Sequence, residues 1–204
     1  MYTNTNKDFW DRYARLYAPM MQSGKLYREL CMRISSHLKP DMDVLELACG
    51  SGQLSFPLSG KVHLWEATDF SRAMILEAKK TAGPTQLHFS VKDATHLPYA
   101  DESFDAVVIA NALHIMPEPE KALHEIYRVL KKDGILFAPT FIHGKSAGAR
   151  LRIHLMELAG FKVFHHWEPE EFSDFISSQL FKIDDCKIIG SSLAPLCYLS
   201  ARKD

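Results

Sequence analysis

The chain is short of cysteine, of long apolar runs and of charge imbalance, and each shortage excludes something. Its four cysteines in 204 residues, Cys31, Cys49, Cys186 and Cys197, make no CxxC pair and no disulfide-scaffold density. They predict reduced thiols in a cytoplasmic protein. No stretch is long and apolar enough to span a bilayer, and the opening MYTNTNKDFWDRYARLYAPMM lacks the apolar centre of a secretory signal. A formal net charge of −1 argues against gripping nucleic acid or an anionic membrane by bulk electrostatics. Repeats and low-complexity tracts are missing too. With 47% hydrophobic and 24% charged residues, the chain has an ordinary globular composition, and its length suits one domain, 1–204.

What is present is alternation. From residue 43 onward, short apolar runs (Val44–Ala48, Val62–Ala67, Leu87–Val91, Phe104–Ala110, Ile135–Ala138) alternate with helical patterns. One such helix is capped by Ser71 and runs to about Lys80; another runs from about Glu118 to Lys131 and lines up Ala122, Leu123, Ile126, Val129 and Leu130. This alternation predicts βαβ units and a parallel sheet covered on both faces. The end differs: Phe181–Ile189 and Leu193–Ser200 are joined only by Gly190-Ser191-Ser192, too short for a parallel crossover, so they predict an antiparallel hairpin at the sheet edge. Two segments lie outside the repeat. Phe9, Trp10, Tyr13, Leu16, Tyr17 and Met20 give the first helix an aromatic face. Gly144 to about Phe172 interrupts a crossover, with a helix near Ala147–Leu158 carrying Arg150, Arg152 and His154, then His165-His166-Trp167 read as a surface loop.

The chemistry gathers after the first strand. In Glu46-Leu47-Ala48-Cys49-Gly50-Ser51-Gly52, glycines stand where the backbone turns tightly and a ligand approaches without a Cβ in the way. A tight turn with no ligand gives the same pattern. Asp69 ends the second strand, where a carboxylate can accept hydrogen bonds from both hydroxyls of a ribose; as an N-cap it competes with Ser71. A dinucleotide site calls for G-x-G-x-x-G, and the third glycine is absent. Glu46, just before the glycines, would repel a pyrophosphate and attract an ammonium, which favours a cationic, amino-acid-bearing ligand such as S-adenosylmethionine.

The run Val44–Gly52 resembles the first motif of class I S-adenosylmethionine-dependent methyltransferases. Thr68-Asp69-Phe70-Ser71-Arg72-Ala73-Met74 is similar to the second-strand motif and Lys92-Asp93-Ala94 to the third. Leu97–Asp105 and Ala110-Asn111-Ala112-Leu113-His114 resemble the entry to and exit from the fourth strand. The likeness spans about residues 40–142 and is nearest to the type 11 small-molecule branch, which includes quinone-methylating enzymes. It implies a Rossmann-like, doubly wound α/β fold. The sheet would have seven mostly parallel strands in the order 3-2-1-4-5-7-6, with one antiparallel C-terminal hairpin strand. Residues 1–40 would form an N-terminal helical lid, 41–142 the cofactor-binding core, and 143–204 a substrate-side insertion with the hairpin.

The same resemblance implies roles. Glu46 and the backbone at Ala48, Gly50 and Gly52 would hold the methionine moiety, with Asn111 facing it. Asp69 would take the ribose, and Phe70 and Met74 would pack near the adenine. Asp93 would accept from the adenine amino group and Ala94 offer its N–H. Tyr17 (or Tyr13) would reach the cofactor carboxylate from the lid, and the product would be S-adenosylhomocysteine. Ala48 stands where the family has glycine. Methyl transfer is an in-line displacement on an already activated methyl group, so it requires no metal and no catalytic triad. His114, after strand four, is the base candidate, with His143 behind it. The implied partner is a small-molecule acceptor, not nucleic acid: Asn111-Ala112-Leu113-His114 replaces the Asn/Asp-Pro-Pro-aromatic motif of base methylation. Two other readings are a non-catalytic S-adenosylmethionine or S-adenosylhomocysteine binder and an NAD-dependent oxidoreductase.

Overall fold

The computed structural model describes residues 5–21, 24–142, 157, 160–191 and 194–204. His143 and the segment holding Arg150, Arg152 and His154 lie outside the described residues, as does the side chain of Tyr17. Strand β1 (Asp43–Leu47) runs between β2 (Leu64–Asp69) and β4 (Phe104–Ile109), with β3 (Leu87–Val91) beyond β2 and β5 (Leu130–Phe137) beyond β4, all parallel. The two-residue strand β6 (Thr140–Phe141) and the hairpin β7 (Phe181–Ser191) and β8 (Ala194–Lys203) complete the sheet, which runs β3-β2-β1-β4-β5-β8-β6 with β7 on the outer side of β8.

β6 is the continuation of β5. Both lie antiparallel to β8 in one unbroken register, from Ile135 opposite Arg202 to Phe141 opposite Leu196. Pro139 lies between them and has no N–H to give a ladder. Counted this way the sheet has seven strands in the order expected from the resemblance, with the hairpin forming its edge.

Both faces are covered, as parallel strands require. On one face α2 (Lys25–Ser35) sets Leu30 and Ile34 against Val44, Trp65, Phe137 and Tyr198. On the other, α5 (Pro119–Val129) and α6 (Pro169–Ser178) bring Leu123, Ile126, Phe172 and Ile176 against Leu45, Val107, Leu136 and Leu199. The helix α4 (Arg72–Ala78) begins where expected, with the Ser71 side chain accepting from the Met74 N–H.

Three local expectations give way. The α5 helix ends at Val129 rather than Lys131, because Leu130 already pairs with Phe104; a bulge follows, with Asp133 at φ 61°. Asp133-Gly134 therefore bends a strand instead of ending a helix. After the glycine turn only the four-residue α3 (Ser55–Leu58) forms, passing at once into a 3-10 turn over Ser59–Lys61. Pro57 and Gly60 in SFPLSG leave no room for a long helix, so there is little helix dipole to attract an anion. Finally, His165 is not on an open loop. Its ring stacks on Trp167 with centroids 4.8 Å apart, and Trp167 stacks on Phe175 at 4.7 Å.

Candidate active site

The first residues beyond β1, β2 and β4 surround one cavity: Ala48, Cys49 and Gly50; Asp69, Phe70 and Ser71; Ala110, Asn111 and Ala112. The strand order reverses between β1 and β4, and the carboxyl edge at such a switch point is where open α/β sheets bind ligands. Met74, Gln53 and Leu54 add to the wall, and the empty space is about 890 Å³ including its open mouth. Helix α1 (Thr5–Met21) closes one side with Asn6, Lys7 and Trp10; Tyr27 of α2 and Ile115, Met116 and Pro117 close others.

The turn itself is held by Asp69. One carboxylate oxygen accepts from the Gly50 N–H at 2.9 Å and the other from the Ser71 N–H at 2.8 Å, so β1's turn and β2's exit are tied together. Burial pushes the Asp69 carboxyl up to about 6, against the pull of the Ser71 and Gly50 N–H groups. Gly50 and Gly52 both take positive φ, 57° and 91°. Gly52 does not line the cavity. A Cβ there would stand 2.6 Å from the Phe56 ring and 3.2 Å from Phe89, so this glycine serves packing. Ala48 also has positive φ, 53°, a conformation that costs an L-residue about 1–2 kcal/mol.

Glu46 is 2% exposed. Its Oε2 accepts from Ser55 Oγ at 2.5 Å and from the Trp65 indole N–H at 2.8 Å, while Oε1 has no partner among the described residues. Burial, offset in part by those two donors, pushes its carboxyl up to about 7. Asn111 sits at φ 55°, its N–H donating to Pro139 O at 2.7 Å. Its Nδ2 reaches Tyr27 Oη at 3.5 Å, and its Oδ1 is buried without a partner among the described residues. A buried orphan acceptor in a cavity wall marks a place for a donor on the ligand. These residues suit an ammonium-bearing adenosyl ligand: acceptors at one end, a ribose-sized carboxylate in the middle, and Phe70 and Met74 at the other end. The Cys49 thiol, raised by burial and by Glu46, is no nucleophile.

The expected residues thus divide. Glu46, Ala48, Gly50, Asp69, Phe70, Met74 and Asn111 converge on the cavity; Gly52, Asp93, Ala94 and His114 do not line it. Asp93 instead accepts from the Thr95 N–H and hydroxyl at 2.9 and 2.7 Å, a local Asx-type turn. The His114 ring is buried, with Nδ1 2.9 Å from Thr140 Oγ1. Among the described residues, the cavity tyrosine is Tyr27. Its spacing with Leu30 and Ile34 places it on α2's inner face, a signal available in the sequence; nothing local marks Asn6 or Lys7. Cys186 and Cys197, far apart in sequence, bring their sulfurs within 3.4 Å across the hairpin.

Comparison with known proteins agrees with this geometry. The family described as a methyltransferase domain matches residues 45–138. A demethylmenaquinone methyltransferase of Clavibacter sepedonicus is 41% identical over 92 residues, 45% of this chain and 38% of the relative. A second, from Paenarthrobacter aurescens, is 40% identical over 106 residues, 52% of this chain and 41% of the relative. The chain therefore spans about two fifths of the length of these curated relatives. Among solved structures, a Haloferax volcanii methyltransferase complexed with the Trm112 methyltransferase activator superposes with a TM-score of 0.82, at 16% identity and 96% of each chain. At that identity the likeness establishes the fold. No described helix is long and apolar enough to cross a membrane.

Two outcomes follow. Ala48→Gly relieves the positive φ and raises stability by about 1 kcal/mol, measured by urea unfolding; a loss of stability would show that the Ala48 methyl packs usefully. For Glu46, the folded carboxyl titrates near 7 and the unfolded one near 4.5. The stability it lends is full below 4.5 and lost as pH rises through 7. That loss is up to about 3 kcal/mol in the ligand-free protein. Glu46→Gln flattens the pH profile of unfolding across that window, and an unchanged profile contradicts the assignment.

Proposed function

We propose that this protein transfers the methyl group of S-adenosylmethionine to a small-molecule acceptor by in-line displacement, leaving S-adenosylhomocysteine. The observation that carries the reading is the cavity at the β1–β4 switch point, where Glu46, Asp69 and the orphaned Asn111 Oδ1 meet the glycine turn. When bound, the sulfonium supplies a methyl group that needs no further activation. Glu46 Oε1 and Asn111 Oδ1 accept from the ammonium end, Asp69 from the ribose hydroxyls, and Phe70 and Met74 flank the adenine without help from Asp93. Trp10, Ile115 and Met116 give the remaining wall an apolar character that excludes water and suits an apolar acceptor. An aromatic acceptor is the finer reading, supported by relatives named demethylmenaquinone methyltransferase. Alignment of acceptor and methyl in such a site is worth about 7–11 kcal/mol. His114, set behind the wall, acts on an acceptor only if that wall moves. The proposed compartment is the reducing cytoplasm, in keeping with four free cysteines.

The fold alone does not dictate methyl transfer: the cyclase SpnF superposes at a TM-score of 0.70, 20% identity and 86% of this chain and 80% of that one. Calorimetry with S-adenosylmethionine, S-adenosylhomocysteine and NADH separates the possibilities. The reading expects both adenosyl ligands to bind and Asp69→Ala to weaken them about 10–100-fold, since hydrogen bonds to a charged group are lost. NADH binding in their place overturns it. Binding without transfer of a labelled methyl to any quinol or phenol assigns the protein as a non-catalytic binder.

A further inference from the structure

Helix α1 packs beside α4 along the cavity, and one buried side chain ties its first turn to two distant segments. Asn6 is 4% exposed. Its Nδ2 donates to the carbonyls of Ile115 at 2.8 Å and Lys162 at 2.9 Å, and its Oδ1 accepts from the Lys162 N–H at 2.8 Å. These partners fix the amide's orientation, because the reverse would set its oxygen against two carbonyls. They lie 109 and 156 residues away in sequence. One residue thus joins three segments: α1, the exit from β4, and the chain leading to Trp167. Phe9 and Trp10 pack on Phe161 beside it, with ring centroids 5.2 and 5.7 Å apart. Five residues on, Asp11 accepts from Ser71 Oγ at 2.5 Å, pinning the same helix beside Asp69. That second tie is shared with Lys7 and a third exposed, whereas the Asn6 amide is shut away from water and fully paired.

We infer that Asn6 is the latch of the active-site wall: its three backbone hydrogen bonds hold α1 closed over the cavity and thereby set how long the adenosyl ligand stays. It is a positioning residue: it stands in the cavity wall beside Lys7 and Trp10, but its amide is spent on backbone partners. Opening α1 requires a buried amide and its partners to part together, which is costly in a dry setting. The identity of the ligand rests on the methyltransferase reading; the latch itself does not.

The test is S-adenosylhomocysteine dissociation from wild type and Asn6→Ala by stopped-flow, with hydrogen exchange of the α1 amides in the ligand-free proteins. The latch predicts dissociation about tenfold faster or more and faster α1 exchange, with exchange in β1 and β4 unchanged. Asn6→Asp keeps the shape but sets an oxygen against the Ile115 and Lys162 carbonyls, so it behaves no better than Asn6→Ala. Lys162→Ala, which leaves the backbone partners in place, behaves as wild type. Unchanged dissociation and unchanged α1 exchange in a folded Asn6→Ala overturn the inference, as does uniform loosening of the whole sheet. If wild type binds no S-adenosylhomocysteine, the cofactor reading fails, and the α1 exchange rates still decide the latch.

Discussion

The cavity depends on one carboxylate. Asp69 closes the end of β2 onto the turn that ends β1, giving one oxygen to Gly50 and the other to Ser71. Without it, the two strand ends that form the cavity floor would be held by their ladder, which finishes with the Cys49 N–H on Thr68 O at 2.9 Å. Two side-chain bonds would add to that ladder, the Thr68 hydroxyl on Glu46 O at 3.1 Å and the Trp65 indole on Glu46 Oε2 at 2.8 Å. The Asp69 carboxyl is buried enough to bind a proton near pH 6. Each of its oxygens has a further lone pair, so it can hold the turn and receive ligand hydroxyls together. On the proposed reading, structure and recognition rest on the same atoms.

Strain gathers at the same edge. Ala48 and Asn111 follow adjacent strands and both take positive φ, 53° and 55°. Such conformations persist where the surroundings over-determine them, and they cluster at functional sites. Here the sheet supplies the restraint, through the Cys49 N–H on Thr68 O and the Asn111 N–H on Pro139 O. The effect at Asn111 is to set a buried acceptor in the cavity wall with no donor among the described residues to meet it. The effect at Glu46 is related: two donors satisfy one oxygen and leave the other without a partner among the described residues.

Much of the fold was legible in the sequence because its signals are local. Buried parallel strands read as apolar runs, and β3 falls on Leu87–Val91 as its residues predict; so short a link as Gly190-Ser191-Ser192 between the last two apolar runs admits only a hairpin. The core of the site was legible for the same reason: a glycine turn and a strand-end carboxylate are short motifs with a mechanism. What escaped was decided at a distance. The pattern points to Tyr17 or Tyr13 of the first helix, and tertiary packing brings Tyr27 of α2 to the cavity wall. Asp93 follows the family's spacing, but it stands outside the cavity wall with its Oδ1 in a local turn with Thr95. His114 stands after strand four, but a 3-10 turn over Leu113–Ile115 accompanies its burial against Thr140. Asn6 has no sequence signature at all, since its partners are backbone atoms of remote segments. The 3.4 Å approach of Cys186 and Cys197 is likewise a product of hairpin register.

The most direct measurement is a crystal structure of the protein with S-adenosylhomocysteine. The account predicts the amino-acid end against Glu46 and Asn111, the ribose hydroxyls on Asp69, and the adenine beside Phe70 and Met74, with Asp93 still turned onto Thr95. A ligand seated away from the β1–β4 switch point, or one whose ribose leaves Asp69 untouched, would contradict it.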